Sequence, residues 1–268
     1  MKTNVLTTKG NKKKNKIELP DVFKTPYRPD VIKKAVLSIQ TNRRQNYGAN
    51  KRAGKRTSAD YHGMRHLPPS QRMMNTERSR MPRHHGDTPA HMFMQGAFVP
   101  HAVGGRRAHP PKSEKSMIKN INKKEKDLAL RSAISSTKDV DELQKRGHKY
   151  DGDLPLVVEN SIEKIEKTQE LREVLEELGL EEELERCEKK KIRSGRGKGR
   201  GRKYKKKVGP LIIVDEDRGV VNAASNLSGV EVKTLNELNV EDLSPGSHGI
   251  RLCVWTDGTI KKLKERFN

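Results

Sequence analysis

The sequence predicts an α/β fold with a mainly parallel sheet covered by helices on both faces, and with a long extended basic loop inserted between the N-terminal helices. Three observations carry this expectation. Short β-type apolar runs alternate with stretches of helical period. Only 5 of the 56 Leu, Ile, Val and Phe residues fall within 46–112, so that stretch cannot bury a core. The basic charge sits in blocks instead of being spread along the chain.

From the N-terminus, Val5 to Leu6 and Ile17 to Leu19 flank a Gly- and Lys-rich turn and suggest a hairpin. Asp30 follows Pro29 and is expected to cap a helix in which Ile32, Ala35, Val36 and Ile39 share one face, with Arg43 and Arg44 at its carbonyl end. A second helix is predicted over Ser113 to Ser135, with Ile118, Ile121, Leu128 and Ile134 as its apolar positions. Strands follow at Leu154 to Val158, Leu211 to Val214, Val230 to Val232 and Leu252 to Trp255, and Pro155 puts the first at an edge or at its own start. Helices are predicted between and after them over Ser161 to Leu178, stopped by Gly179, over Arg218 to Leu227 and over Thr259 to Phe267. The acidic run Glu173 to Glu188 is expected to form an exposed helical face. The resulting organisation is 1–45 as the first part of the α/β domain, 46–112 as the loop, and 113–268 as the remainder, with a basic Gly-rich loop at 193–207.

Composition narrows the functional class. In 268 residues, 57 Lys and Arg stand against 35 Asp and Glu, a formal charge of +22. Self-repulsion on that scale points to a polyanionic partner, nucleic acid first. The charge is +9 over 1–45, +9 over 46–112, +4 over 113–150, −9 over 151–186, +11 over 187–210 and −2 over 211–268. A hydrophobic fraction of 31% with 21 glycines is below the roughly 45–50% apolar content of ordinary globular chains. No apolar run approaches the roughly 18 residues of a membrane span, and the Lys-rich start has no signal-peptide character, so a cytosolic protein is expected. Cys187 and Cys253 form no CxxC pair, which argues against a zinc ribbon and a disulfide scaffold.

The densest motif runs from Arg193 to Lys207. Its alternating glycines let the backbone approach phosphates while Arg193, Arg196, Lys198, Arg200, Arg202, Lys203 and Lys205 contact them, and Tyr204 can stack on a base. It is no dinucleotide fingerprint, because Arg200 occupies the third Gly position and no strand precedes it. Gly48 to Arg56 superficially resembles a phosphate loop, yet five residues separate its glycines and Arg56 replaces the magnesium-binding hydroxyl. Lys51, Arg52, Lys55 and Arg56 instead suit phosphate contacts. The loop holds His62, His66, His84, His85, His91, His101 and His109, without Cys in reach or a helical period to support zinc; packing and hydrogen bonding against RNA is the plainer expectation. Met73, Met74, Met81, Met92 and Met94 are expected to be adaptable contacts. Asp215, Glu216 and Asp217 follow a strand, where α/β enzymes often place carboxylates, but a turn before a helix explains them as well.

Several blocks resemble a known family: Ile17–Ile32 (IELPDVFKTPYRPDVI), Ala35–Thr41 (AVLSIQT), Tyr47–Ala49 (YGA), Ala102–Lys112 (AVGGRRAHPPK), Leu130–Ile134 (LRSAI), Arg146–His148 (RGH), Gly197–Tyr204 (GKGRGRKY) and Val254–Thr256 (VWT). They are similar to the archaeal branch of the universal large-subunit ribosomal protein L-four family, over nearly the whole chain. The resemblance implies an α/β domain on the outside of the large subunit and a basic loop threading into ribosomal RNA. It further implies that the loop lines a narrow part of the peptide exit tunnel beside ribosomal protein L-twenty-two, and that the protein supports early assembly. Many relatives have a Gly- and Arg-rich loop tip, where this chain reads Tyr61-His-Gly-Met-Arg-His-Leu-Pro-Pro69.

The expectation is therefore a structural RNA-binding protein of the cytoplasmic large subunit, with no catalytic residues, cofactor, metal or membrane contact, and no homo-oligomer. Arg43 and Arg44, Lys51 to Arg56, and Arg106, Arg107 and Lys112 are expected to hold phosphates at the loop base. Arg65, Arg72, Arg78, Arg80 and Arg83 are expected nearer the tunnel. Fully stretched arms of about 33 residues, at no more than ~3.3 Å per residue, would reach about 100 Å. The competing reading is an RNA-modifying or RNA-cleaving enzyme built on Asp215, Glu216, Asp217 and Asp257, which no cofactor fingerprint or acid/base pair accompanies. A role as an RNA chaperone or messenger-RNA regulator would use the same basic segments.

Overall fold

The computed structural model describes residues 2–63, 66, 68 and 77–267, with the side chains of Lys14 and Asn15 left aside. Two compact units emerge, one of Met1–Arg43 with Ile118–Asn268 and one of Arg44–Met117. The first unit is the α/β domain. Its elements are β1 (Lys2–Leu6), β2 (Lys12–Glu18), α1 (Pro29–Asn42), α2 (Lys123–Ser135), α3 (Val140–Arg146), β3 (Leu156–Val158), α4 (Thr168–Glu177), α5 (Glu181–Glu188), β4 (Lys191–Ile192), β5 (Tyr204–Lys205), β6 (Leu211–Val214), α6 (Val220–Ser225), β7 (Glu231–Thr234), α7 (Val240–Leu243), β8 (Cys253–Thr256) and α8 (Asp257–Phe267).

Six strands form one sheet in the order β2-β1-β3-β8-β6-β7. Only the β1–β2 hairpin is antiparallel, and every other pairing is parallel, as the alternation of strands and helices requires. Strand residues alternate between two cores. Val5, Val157, Leu211, Ile213 and Trp255 face α1, α2, α7 and α8 through Ile32, Val36, Ala133, Ile134, Leu243 and Leu263. Leu156, Val158, Ile212, Val214 and Val254 face α3 to α6 through Leu143, Leu171, Leu175, Leu184, Val220 and Ala223. Both sheet faces are thus covered, which is why these strands read as continuous apolar runs. Phe23 meets Trp255 edge-on, with ring centroids 5.9 Å apart.

Several boundaries differ from the sequence expectation, each for a physical reason. Asp30 is not the cap of α1. Arg28 is, and Asp30 lies in the first turn, where its carboxylate accepts from the Arg28 guanidinium. The second helix begins at Lys123 instead of Ser113, and Ile118 is exposed. Upstream of α2, the Lys119 backbone is bonded to α1: Ser38 Oγ donates to the Lys119 carbonyl (2.6 Å), and the Lys119 N–H donates to Thr41 Oγ1 (3.2 Å). The helix expected over Ser161 to Leu178 divides into a 3₁₀ turn at Asn160–Lys164 and α4. Buried Glu163 pins that turn by accepting from the Asp215 N–H (3.2 Å) and Thr256 Oγ1 (3.0 Å). The expected exposed acidic face is partly core, because Leu175, Leu178, Leu180, Glu183, Leu184 and Cys187 are buried. Pro155 precedes β3, an interior strand, so it marks a strand start and not an edge.

Because Ser38 and Thr41 hold Lys119 directly, the chain leaves the domain and returns to it at neighbouring points. Both apolar cores consist of residues of the α/β unit. Replacing 46–112 by a short Gly/Ser linker should leave a single cooperative transition in urea, since closing a longer loop is entropically cheap and removing it changes little. Leu175→Ala in the full chain should cost about 2–5 kcal/mol in the same assay. Loss of the cooperative transition on loop replacement would show that the core extends into the loop.

Candidate nucleic-acid interface

The expected contact residues lie on two segments without core residues of their own. In the Arg44–Met117 unit, successive turns project the first cluster outward. Asn50 Oδ1 accepts from the Arg52 N–H (2.9 Å), and the Ala53 and Lys55 N–H groups bond to the carbonyls of Asn50 and Arg52. Lys51, Arg52, Lys55 and Arg56 are all exposed as a result. The returning arm, with Arg106, Arg107 and Lys112, runs close against this one. The Ala49 N–H bonds to the Pro111 carbonyl (3.0 Å). A Cβ at Gly48 would come within 2.3 Å of the Ser113 nitrogen, and one at Gly54 within 2.6 Å of the Arg106 backbone, so only glycine permits this approach. Arg44 lies over the Tyr47 ring and Arg106 over the Phe98 ring, 5.6 and 5.7 Å from the centroids.

Farther along, isolated bridges tie Asp60 to Arg83 and Arg83 to Gly96. Here one expected contact residue is committed internally: the Arg83 guanidinium donates to the carbonyls of Met94 (2.9 Å) and Ser79 (3.1 Å) and to Ser79 Oγ. Arg78 and Arg80 are exposed. Arg65 and Arg72 lie outside the described residues, as do Met73 and Met74. His84 is buried within hydrogen-bonding distance of Thr57 and Ser58, and His62 packs edge-on against His85, so three of the loop histidines serve the loop's own packing. Met81, Met92 and Met94 are half-buried in the same segment.

The second segment is a two-stranded ribbon that the sequence does not announce. β4 pairs antiparallel with β5, Ile192 opposite Tyr204 and Lys191 opposite Lys205, and the Arg193 N–H extends the ladder to the Lys203 carbonyl (2.8 Å). Arg196, Lys198, Arg200, Arg202, Lys203, Tyr204 and Lys205 are exposed around its tip, while half-buried Arg193 donates to the Arg202 carbonyl (3.1 Å). Lys203 sits over the Tyr204 ring. Lys190, Lys206 and Lys207 line a neighbouring cleft with Ser225, Asn226 and Ser228. Their membership of Lys189–Lys191 and Lys205–Lys207 is the signal that marks them. Of all these cations, only Arg43, on Glu241 (2.9 Å), and Lys51, on Glu114 (2.5 Å), have a carboxylate partner among the described residues.

Two arginines, half-buried Arg186 and buried Arg251, hold the base of the ribbon. Arg186 grips the Glu183 carboxylate with two hydrogen bonds (2.7 and 2.6 Å) and donates to the Val208 carbonyl (2.7 Å). Arg251 donates to the carbonyls of Gly209, Pro210 and Gly229 and pairs with Glu231. His148 Nδ1 lies 2.6 Å from Glu183 Oε1, and the Lys149 N–H donates to Oε2. Burial alone would raise the Glu183 carboxyl, but the Arg186 and His148 hydrogen bonds outweigh it and hold it at about 2. Burial lowers His148 and keeps it neutral, outweighing its contact with Glu183.

The carboxylates of the enzymatic reading are structural. Asp217 Oδ1 accepts from the N–H groups of Gly219 (3.0 Å) and Val221 (3.4 Å) at the start of α6. Asp215 pairs with Lys262 (2.6 Å), Glu216 with Arg218, and Asp257 with Lys261. Burial pushes the thiols of Cys187 and Cys253 up to about 11 and about 12, far from a reactive thiolate.

Fold and surface together define a class: a structural protein whose α/β domain carries long cationic segments. The model of the ribosomal protein L4/L1 family matches residues 17–266. The chain is 42% identical over 269 residues to large ribosomal subunit protein uL4 of Methanosphaera stadtmanae, covering 99% of this chain and 97% of the relative. It is 43% identical over 266 residues to large ribosomal subunit protein uL4 of Archaeoglobus fulgidus, covering 99% of each. The chain belongs to the ribosomal protein L4/L1 family, and is a ribosomal protein and not an enzyme.

The Glu183 cluster makes stability pH-dependent in a stated direction. Glu183 is held below its ordinary 4.5, so its contribution is complete above about pH 4.5 and is lost as pH falls toward 2. His148 is held below its ordinary 6.5, so protonation favours the unfolded chain as pH falls below that value. Urea titrations at pH 7, 5 and 3 should show falling midpoints. Glu183→Gln should lower stability at pH 7 by about 3–5 kcal/mol, as for a broken buried pair, and flatten the acid limb. An unchanged pH dependence would remove Glu183 from this role.

Proposed function

We propose that the chain is a structural constituent of the large ribosomal subunit in the cytoplasm, where it binds ribosomal RNA mainly through phosphates and shape. The observation that carries this is the concentration of exposed cations without carboxylate partners among the described residues on two segments outside the core. These are the loop arms, with Arg44, Arg52, Lys55, Arg56, Arg107 and Lys112, and the ribbon from Arg196 to Lys205, to which Arg43 and Lys51, each paired with a carboxylate, and half-buried Arg106 and Arg193 add further cations. Family membership supports the ribosomal setting, and the two uL4 relatives support the large subunit. In this reading 1–45 and 113–268 dock on the subunit as the folded domain, and 46–112 penetrates RNA. The protein contributes to early assembly by joining RNA segments before other proteins bind. The middle of the loop, 61–98, lines part of the peptide exit tunnel beside ribosomal protein L-twenty-two, with Arg78 and Arg80 as its exposed described cations. Arg83 acts there by holding the loop's shape, through Met94 and Ser79.

Affinity for structured large-subunit RNA should fall steeply with salt. If roughly 6–10 phosphates are neutralised, binding should weaken about 10³- to 10⁵-fold between 50 and 200 mM monovalent salt. A nearly flat plot of log K against log salt would contradict the proposal. Charge reversal at Lys51, Arg52, Lys55 and Arg56 should impair subunit assembly first. Reversal at Arg78 and Arg80 should instead alter nascent-chain stalling or sensitivity to tunnel-binding antibiotics, with little change in RNA affinity. The opposite ranking, or a subunit structure with 61–98 on the solvent surface, would contradict the tunnel assignment.

A further inference from the structure

The two arms of the loop enclose a cleft of roughly 630 Å³, bounded by Ala49–Lys55 on one side and Gly105–Glu114 on the other. Its composition is not that of a phosphate site alone. Ala49, Ala53, Ala108, Pro110 and Pro111 supply an apolar wall. The cations Lys51, Lys55, Arg107 and Lys112 are on the same lining, and all four are exposed. The volume lies within the roughly 300–1,000 Å³ of small-molecule pockets.

The cleft is also built. It is closed at one end by the contact of Gly48 with Ser113 and the Ala49–Pro111 hydrogen bond, and at the other by the approach of Gly54 to Arg106. Consecutive turns at Asn50–Lys55 keep its floor short. Arg106, which lines it, is held over the Phe98 ring. Glu114 is the one carboxylate on the lining and pairs with Lys51. A polyanion displacing Lys51 from Glu114 would leave an acceptor inside the cleft, suited to an exocyclic amino group.

We propose that this cleft is a nucleobase pocket, which takes one unstacked base of single-stranded RNA against the Ala and Pro wall while Lys51, Lys55, Arg107 and Lys112 hold the phosphates on either side. The proposal rests on the RNA-binding reading above and assigns to the loop base a contact that phosphate recognition does not supply. Single-stranded RNA is recognised by bases splayed into apolar or planar surfaces beside backbone cations, and this lining provides both. Adenine, with its exocyclic amine, suits the Glu114 acceptor.

The test uses the full chain and two probes of equal charge, an oligoadenylate of about 12 nucleotides and an abasic ribose-phosphate chain of the same length, at one salt concentration. The wild-type protein should prefer the oligoadenylate. Ala49→Leu and Ala108→Leu, separately and together, add aliphatic bulk at exposed positions without changing charge. They should weaken oligoadenylate binding by about five-fold or more, within the range for one stacked base, and leave the abasic chain unaffected. Lys51→Gln should weaken both probes. If the base preference survives both leucine variants, or if they weaken both probes equally, the pocket assignment is wrong. Equal wild-type affinity for the two probes would also overturn it while leaving phosphate-driven RNA binding intact. Failure to bind either probe would overturn the RNA-binding reading itself.

Discussion

In a chain with a formal charge of +22, self-repulsion works against the compact state, and the architecture depends on keeping the clustered cations out of the folded core. The sheet core takes none of the clustered Lys and Arg. The loop carries +9 on a unit without its own place in either apolar cluster, and the 187–210 segment carries +11 around a ribbon only two residues long on each strand. The one strongly acidic region, 151–186, packs its leucines into the second core and turns most of its carboxylates outward. Such an arrangement lowers self-repulsion within the domain and leaves the cationic segments to be neutralised by a partner.

Segments that carry charge without a core need anchors, and the anchors are hydrogen bonds to backbone groups. At the loop base, Ser38 and Thr41 take both backbone groups of Lys119, so that α1 holds the segment that leads into α2. At the ribbon base, Arg186 and Arg251 bond to four carbonyls of the flanking chain, and Glu183 and Glu231 balance their charge. Arginine suits this task because its planar fork satisfies several acceptors and stays charged when buried. The pair around buried Glu183 contributes less to net stability than to the uniqueness of the arrangement, while breaking one side of it is costly. The role of the two arginines here is to fix the base of the ribbon within the α/β unit.

Much of the fold was legible because apolar period and strand alternation report burial on both faces of a parallel sheet. Leu211–Val214 coincides with β6, and Ile32, Ala35 and Val36 form the buried face of α1 as their spacing requires. What escaped the sequence depended on long-range contacts. Ile118 looked like a helix position, but the Lys119 backbone is committed to α1. Glu183 looked like one more exposed acid, and only its partners Arg186 and His148 explain its burial. The cationic candidates were readable from charge density alone, whereas the internal role of Arg83 rests on the carbonyls of Ser79 and Met94, which no local pattern predicts. The β4–β5 ribbon was hidden because two-residue strands bear no periodicity.

The division of labour between a folded α/β domain and cationic segments is most directly tested by photo-crosslinking the protein to RNA in purified large subunits and identifying nucleotide-bearing peptides. Adducts are expected on peptides spanning 48–56, 105–112 and 193–205, with few or none on the acidic α4 and α5. Adducts concentrated on 160–188, with the basic segments free of nucleotide, would contradict it.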